Sequence, residues 1–106
     1  MFDFASYRHS GGHGPVSATA ALRLYRDGRP LPPSEAEAVS GARLLPGDAL
    51  LLCSEELLEF LFDEEICVDL LKSADAQAWL NYLLVRLADK TRLAIDDFSL
   101  ACGIWL

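Results

Sequence analysis

The sequence predicts an α+β fold, an antiparallel sheet with two helices packed on one face, and three observations lead there. Residues 2–8 and 16–26 alternate along the chain in the period-two manner of strands. Two turn pairs, Asp27-Gly28 and Pro46-Gly47, punctuate the strand-like segments and turn the chain back on itself, which makes neighbouring strands antiparallel. Between about residues 63 and 89 the apolar spacing changes to i, i+3, i+4, i+7, the stripe of helices that lie against a sheet.

The first segment, residues 2–8, is aromatic and alternating and predicts a strand. Ser10-Gly11-Gly12-His13-Gly14-Pro15 then breaks the pattern as a surface loop. His9 and His13 stand four apart, but the glycines argue against the helix that would bring both to one metal. From Val16 to Arg26 a second strand carries Val16, Ala18, Ala20, Leu22 and Leu24 on one side. Ser17, Thr19, Ala21, Arg23 and Tyr25 form the other, expected to be wetter. Asp27-Gly28 closes that strand, and residues 29–33, rich in proline, continue as a stiff extended link. Ser34-Glu35-Ala36-Glu37 fits either a capped helical turn or a short strand entering the Pro46-Gly47 hairpin.

Proline fixes φ at the first central position of that turn and glycine accepts a positive φ at the second. Residues 49–53 follow as an unbroken apolar run, the pattern of a strand covered on both faces. Its end is acidic at Glu55, Glu56 and Glu59. Asp63 is the expected N-cap of a helix over about 63–72, with Glu64 and Glu65 at the positive end of its dipole. Ser73 is the expected cap of a second helix, about 74–89, presenting Ala76, Trp79, Leu80, Leu83, Leu84 and Leu87. Residues 95–106 read as a closing strand.

Composition narrows the function. With 52% hydrophobic residues in 106, the chain (1–106) is expected to be one domain with a real core and apolar surface to spare for a partner. Its formal charge of −7 gives nucleic-acid phosphates and anionic membranes little to hold. Cys53, Cys67 and Cys102 sit among apolar residues with no C-x-x-C pair, which predicts buried, reduced thiols. No segment has a signal-peptide pattern or the length of a membrane span, so a cytoplasmic protein is expected.

Several stretches resemble the metal-dependent protein phosphatases, the PPM superfamily of type 2C and bacterial stress-response serine phosphatases. Leu45-Pro46-Gly47-Asp48, Leu50-Leu51-Leu52, Ser54 and Leu57 match its "pGD-x-LLL-x-[ST]DG" strand, with Glu55 and Glu56 at the aspartate and glycine positions. Leu24-Tyr25-Arg26-Asp27-Gly28 matches "L-x-RDG", and Phe62-Asp63-Glu64-Glu65-Ile66 is similar to a "lsDEEI" helix start. Asp96-Asp97-Phe98-Ser99 matches the closing "D[ND]-x-[ST]" strand, and Gly12-His13-Gly14-Pro15 is similar to "aGHpP". The resemblance implies a reduced half of a two-sheet sandwich, one sheet and one helix pair. It also implies a Mg2+ or Mn2+ site in which Glu55 and Asp96 are the candidate ligands, activating water against a phosphoserine or phosphothreonine.

Other family ligands are replaced. Ala18 and Thr19 stand at the acidic positions of the upstream strand, and no DGxGG loop exists. Two carboxylates are too few for a metal pair, since hard cations need many oxygen donors. A non-catalytic phosphatase-like module with no cofactor is therefore expected, acting in bacterial signalling by protein–protein contact. One sheet with helices on one side leaves an apolar sheet face for a homodimer or a partner protein. The alternative is a minimal Mg2+/Mn2+-dependent serine/threonine phosphatase that completes its site across a subunit interface. Arg8, Arg23 and Arg26 are candidate phosphate holders or simply solubilising strand-edge charges.

Overall fold

A computed structural model describes residues 1–9, 20–32, 44–91 and 97–106. Five strands form one sheet: β1 (Phe2–His9), β2 (Ala20–Arg26), β3 (Arg29–Pro30), β4 (Ala49–Ser54) and β5 (Phe98–Trp105). Their order is β1-β5-β4-β2-β3, every neighbour antiparallel. A 3₁₀ helix (Glu55–Glu59) follows β4, and two α-helices, α1 (Asp63–Lys72) and α2 (Ala76–Thr91), precede β5. The expected α+β class and the helix pair on one sheet face are both present.

The turns form for the reasons their residues give. Asp27 and Gly28 both take positive φ, 54° and 72°, the geometry of a two-residue turn whose twist matches the flanking strands. The chain after it is not a free link. Arg29–Pro30 pairs back on β2, and the Leu31 N–H donates to the Leu24 carbonyl at 2.9 Å. Gly47 has φ 92°, and the Asp48 N–H closes the Pro46-Gly47 turn on the Leu45 carbonyl at 2.9 Å. Residues 33–43, including the 34–37 segment, lie outside the described residues, as do residues 10–19.

The helices cover the face that carries Ala5, Tyr25, Ala49, Leu51, Cys53, Leu100, Cys102 and Ile104, all buried. From α2, Trp79, Leu80, Leu83 and Leu87 pack onto it, with Ile66 and Cys67 from α1 and Leu57 from the 3₁₀ helix. Each such side chain contributes roughly 1.5–3 kcal/mol by leaving water. This reverses the expectation for β2. The set that includes Tyr25 faces the helices, because its ring meets Trp79 edge-on at 6.0 Å and its hydroxyl finds the Asp63 carboxylate at 3.2 Å. Leu22 and Leu24 lie on the opposite side.

Two caps also differ. Asp63 is the first residue of α1 rather than its cap. Its carboxylate accepts the Tyr25 hydroxyl, while the Phe62 N–H donates to Glu65 Oε1 at 3.3 Å. Ser73 ends α1, donating its hydroxyl to the Asp69 carbonyl at 2.6 Å. Asp75 instead accepts the Ala78 N–H at 2.8 Å, and Asp3 of β1 accepts the Ala76 N–H at 2.7 Å, so the start of α2 is tied to the sheet.

An ionic clamp joins the helices. Arg86 donates through Nε and Nη2 to the two oxygens of Asp69, both at 2.9 Å, and through Nη1 to Glu65 at 3.0 Å. Burial pushes the Asp69 carboxyl up, but the bonds from Arg86 and Lys72 more than offset this and hold it below the ordinary value. Lys90 adds contacts to Glu65 and to the Phe60 carbonyl.

Candidate functional site

Because side chains alternate across a strand, the register defines what the other sheet face presents. It presents mostly apolar groups. Arg8 pairs with Ser99, and the Ser99 N–H donates to the Ser54 hydroxyl at 3.1 Å, so one end of the face is polar. The next row is Ser6, Ala101, Leu52 and Leu22, followed by Phe4, Gly103, Leu50 and Leu24. At the far end stand Phe2 and Trp105, with Arg26 and Asp48 beyond them. Phe4 is 60% exposed, Leu22 53%, Leu52 48% and Phe2 37%, so these side chains stand uncovered, whereas Leu24 of the same face is buried. Gly103 is needed here. A Cβ at that position would lie 2.2 Å from the Phe2 ring, which lies across the strand.

This corrects the reading of β4. Its apolar run implies cover on both sides, and the strand is central in the sheet, yet only Ala49, Leu51 and Cys53 lie under the helices. Leu52 faces outward and Leu50 is half-buried.

Most of the motif residues that the structure describes serve the scaffold. Asp48 is buried and accepts Arg26 Nε at 2.8 Å, Arg26 Nη2 at 2.7 Å and the Leu45 N–H at 2.8 Å. The Arg26 bonds, resisted by burial and aided by Leu45, hold the Asp48 carboxyl below its ordinary value. One ion pair thus links the "RDG" and "pGD" stretches, 22 residues apart, and Arg26 is not available as a phosphate holder. The sequence offers no local sign of it. Arg8 is exposed on the open face, and Arg23, also exposed, donates to the neighbouring Leu22 carbonyl at 3.2 Å.

Of the two candidate metal ligands, Glu55 is exposed at the start of the 3₁₀ helix, immediately after β4. Asp96 lies outside the described residues. Its neighbour Asp97 directly precedes β5, at the sheet end where β4 finishes. Among the described residues no group of three His, Cys, Asp or Glu is placed to hold a metal. His9 ends β1 and stacks on Phe98 at 4.9 Å. His13 lies outside the described residues.

The thiols are structural. Burial pushes Cys53 up to about 11 and Cys102 up to about 12, and it raises Cys67 as well. No helix of the described chain is long and apolar enough to cross a membrane.

Sheet order and helix pair together define an α+β layer, one antiparallel sheet with two helices on one face. No family model matches the sequence, and no curated protein does. Among solved structures the chain is similar to PppA, a key regulatory component of T6SS in Pseudomonas aeruginosa. The TM-score is 0.58 at 18% identity, covering 98% of this chain and 54% of that one. The likeness concerns the fold alone and fits the resemblance carried by the motifs. The chain spans about half the length of that protein.

Proposed function

We propose that this chain is a non-catalytic, phosphatase-like module that acts in bacterial signalling by binding protein through the uncovered face of its sheet. The observation that carries the reading is the open apolar surface formed by Phe2, Phe4, Leu22 and Leu52 on strands whose other face is already covered by helices. A monomer rarely leaves so contiguous an apolar area to water. The likeness in fold to a regulatory component of T6SS is compatible with a signalling role.

A second reading, a minimal Mg2+/Mn2+-dependent serine/threonine phosphatase, draws on Glu55 leaving β4 beside the start of β5. Turnover of an aryl phosphate with Mn2+ separates the two. The binding-module reading expects no turnover above the metal-only blank. Mn2+-dependent turnover abolished by both Glu55→Ala and Asp96→Ala would overturn it.

A further inference from the structure

We infer that the occupant of the uncovered face is a second copy of this chain, packed sheet on sheet about a two-fold axis running along the strands; this rests on the binding reading above.

The pattern of the rows supports a self-complementary face. An axis along the strands, between β5 and β4, lays β1 over β2 of the other copy and β5 over β4. Each row then meets its own kind. Leu52 and Leu22 stay in the apolar middle, while Arg8 at one end and the Arg26–Asp48 pair at the other remain at the rim. Sizes also complement. Ser6 of β1 comes over Leu22 of β2 and Phe4 over the row of Leu24, while small Ala101 and Gly103 of β5 come over Leu52 and Leu50 of β4. An axis across the strands fails on both counts. It lays Leu52 over Leu50 and small Ala101 over Gly103, and carries Arg8 over Phe2.

The area suffices. Four strands about 4.8 Å apart and rows about 6.8 Å apart give a face of roughly 20 by 24 Å. That is about 500 Å2 in projection on each copy, or on the order of 1,000 Å2 for the pair before side-chain relief is counted, the size at which specific interfaces begin. The chain's charge of −7 is no obstacle, because the described ionic groups on this face are Arg8 and the neutral Arg26–Asp48 pair. β4 also acquires the two-sided cover that its sequence implies.

The test uses the full chain in sedimentation equilibrium from 1 to 100 µM, with Leu52→Asp alongside it and circular dichroism as the folding control. The expected result is a dimer for the wild type and at least a hundredfold weaker association for Leu52→Asp with unchanged helix signal. Facing sheets lie about 10 Å apart, beyond disulfide reach, so a short bismaleimide is the linker of choice. Ser6→Cys with Leu22→Cys in one chain should cross-link into a covalent dimer, and neither single variant should. Cross-linking by Ser6→Cys alone, or a dimer untouched by Leu52→Asp, would overturn the geometry. A wild-type monomer at 100 µM would overturn the second copy as occupant. In that case binding of an apolar dye, lost in Leu52→Asp, would keep the face as a site for a different protein, whereas dye binding indifferent to Leu52→Asp would end that reading too.

Discussion

Replacing Asp48 with Asn asks whether the motif residue shared with metal-dependent phosphatases is scaffold in this chain. The carboxylate is 4% exposed and receives three donors: two nitrogens of Arg26 at 2.7 and 2.8 Å and the Leu45 N–H at 2.8 Å. Asparagine keeps the shape but presents one NH2 group to a ring of donors and removes the charge. Hydrogen bonds to a charged group are worth about 1.5–3 kcal/mol each, but Arg26 is partly exposed and recovers some hydration. The expected loss is about 2–3 kcal/mol, a large share of the roughly 5–15 kcal/mol that holds such a domain. In a thermal melt this lowers Tm by roughly 10–15 °C. The pH dependence gives a sharper readout. Arg26 holds the folded carboxyl below its unfolded value of about 3.9, so its stabilisation is complete above that value and disappears as pH falls through the folded one. Urea titrations of wild type and Asp48→Asn should differ fully at pH 7 and converge below about pH 4, the other carboxylates cancelling in the difference. A gap under about 0.5 kcal/mol at pH 7, the range of an exposed ion pair, would refute the reasoning. So would a gap that does not narrow in acid.

Three further outcomes follow from the same contacts. Arg86→Met leaves the buried Asp69 carboxylate with only the half-exposed Lys72 as cationic partner and should destabilise by about 3 kcal/mol in urea, whereas Asp69→Leu combined with Arg86→Met should return to within about 1 kcal/mol of wild type. Gly47→Ala meets no neighbouring atom but must adopt φ 92°, so a melt should register a loss of about 1 kcal/mol from backbone strain alone. At pH 8 a thiol reagent should leave Cys53 and Cys102 unmodified in the native protein and label all three cysteines in urea, because burial keeps both thiols protonated.

Where the sequence is legible, the determinant is local. Asp63–Lys72 was readable at both ends because its acids cluster in the first turn and its apolar residues recur at helical spacing, and Asp27-Gly28 needs only its own φ angles. Where it is not, a distant partner decides. Ser73 and Asp75 are both good caps two residues apart, and the choice falls to Asp75 as Asp3, 73 residues away, takes the Ala76 N–H. Alternation in β2 defines two sets of side chains but not which one faces inward. That is settled by Trp79 and Asp63, which pack and hydrogen-bond Tyr25. The Arg26–Asp48 pair joins two strands through a register that neither segment encodes alone. For the candidate metal site, Glu55 is found exposed at the end of β4 and Asp96 lies beyond the described residues.

The distribution of the family resemblance has a physical logic. It is dense at residues that the fold itself uses. Arg26 and Asp48 pair, Asp27 and Gly28 turn, Gly47 takes a positive φ, and Ser54 accepts from the start of β5. It lapses at Glu55 and Glu56, which are exposed and half-buried on a 3₁₀ turn and contribute no hydrogen bond that orders the sheet. Folding constrains the first set and tolerates change in the second. β4 belongs to the constrained class on both of its faces. Leu51 and its inward neighbours are accounted for by the helices, but Leu50 and Leu52 are as apolar as a buried strand requires while Leu52 stands nearly half in water. An outward face kept this apolar, on a chain otherwise rich in charge, is best explained by a surface that covers it.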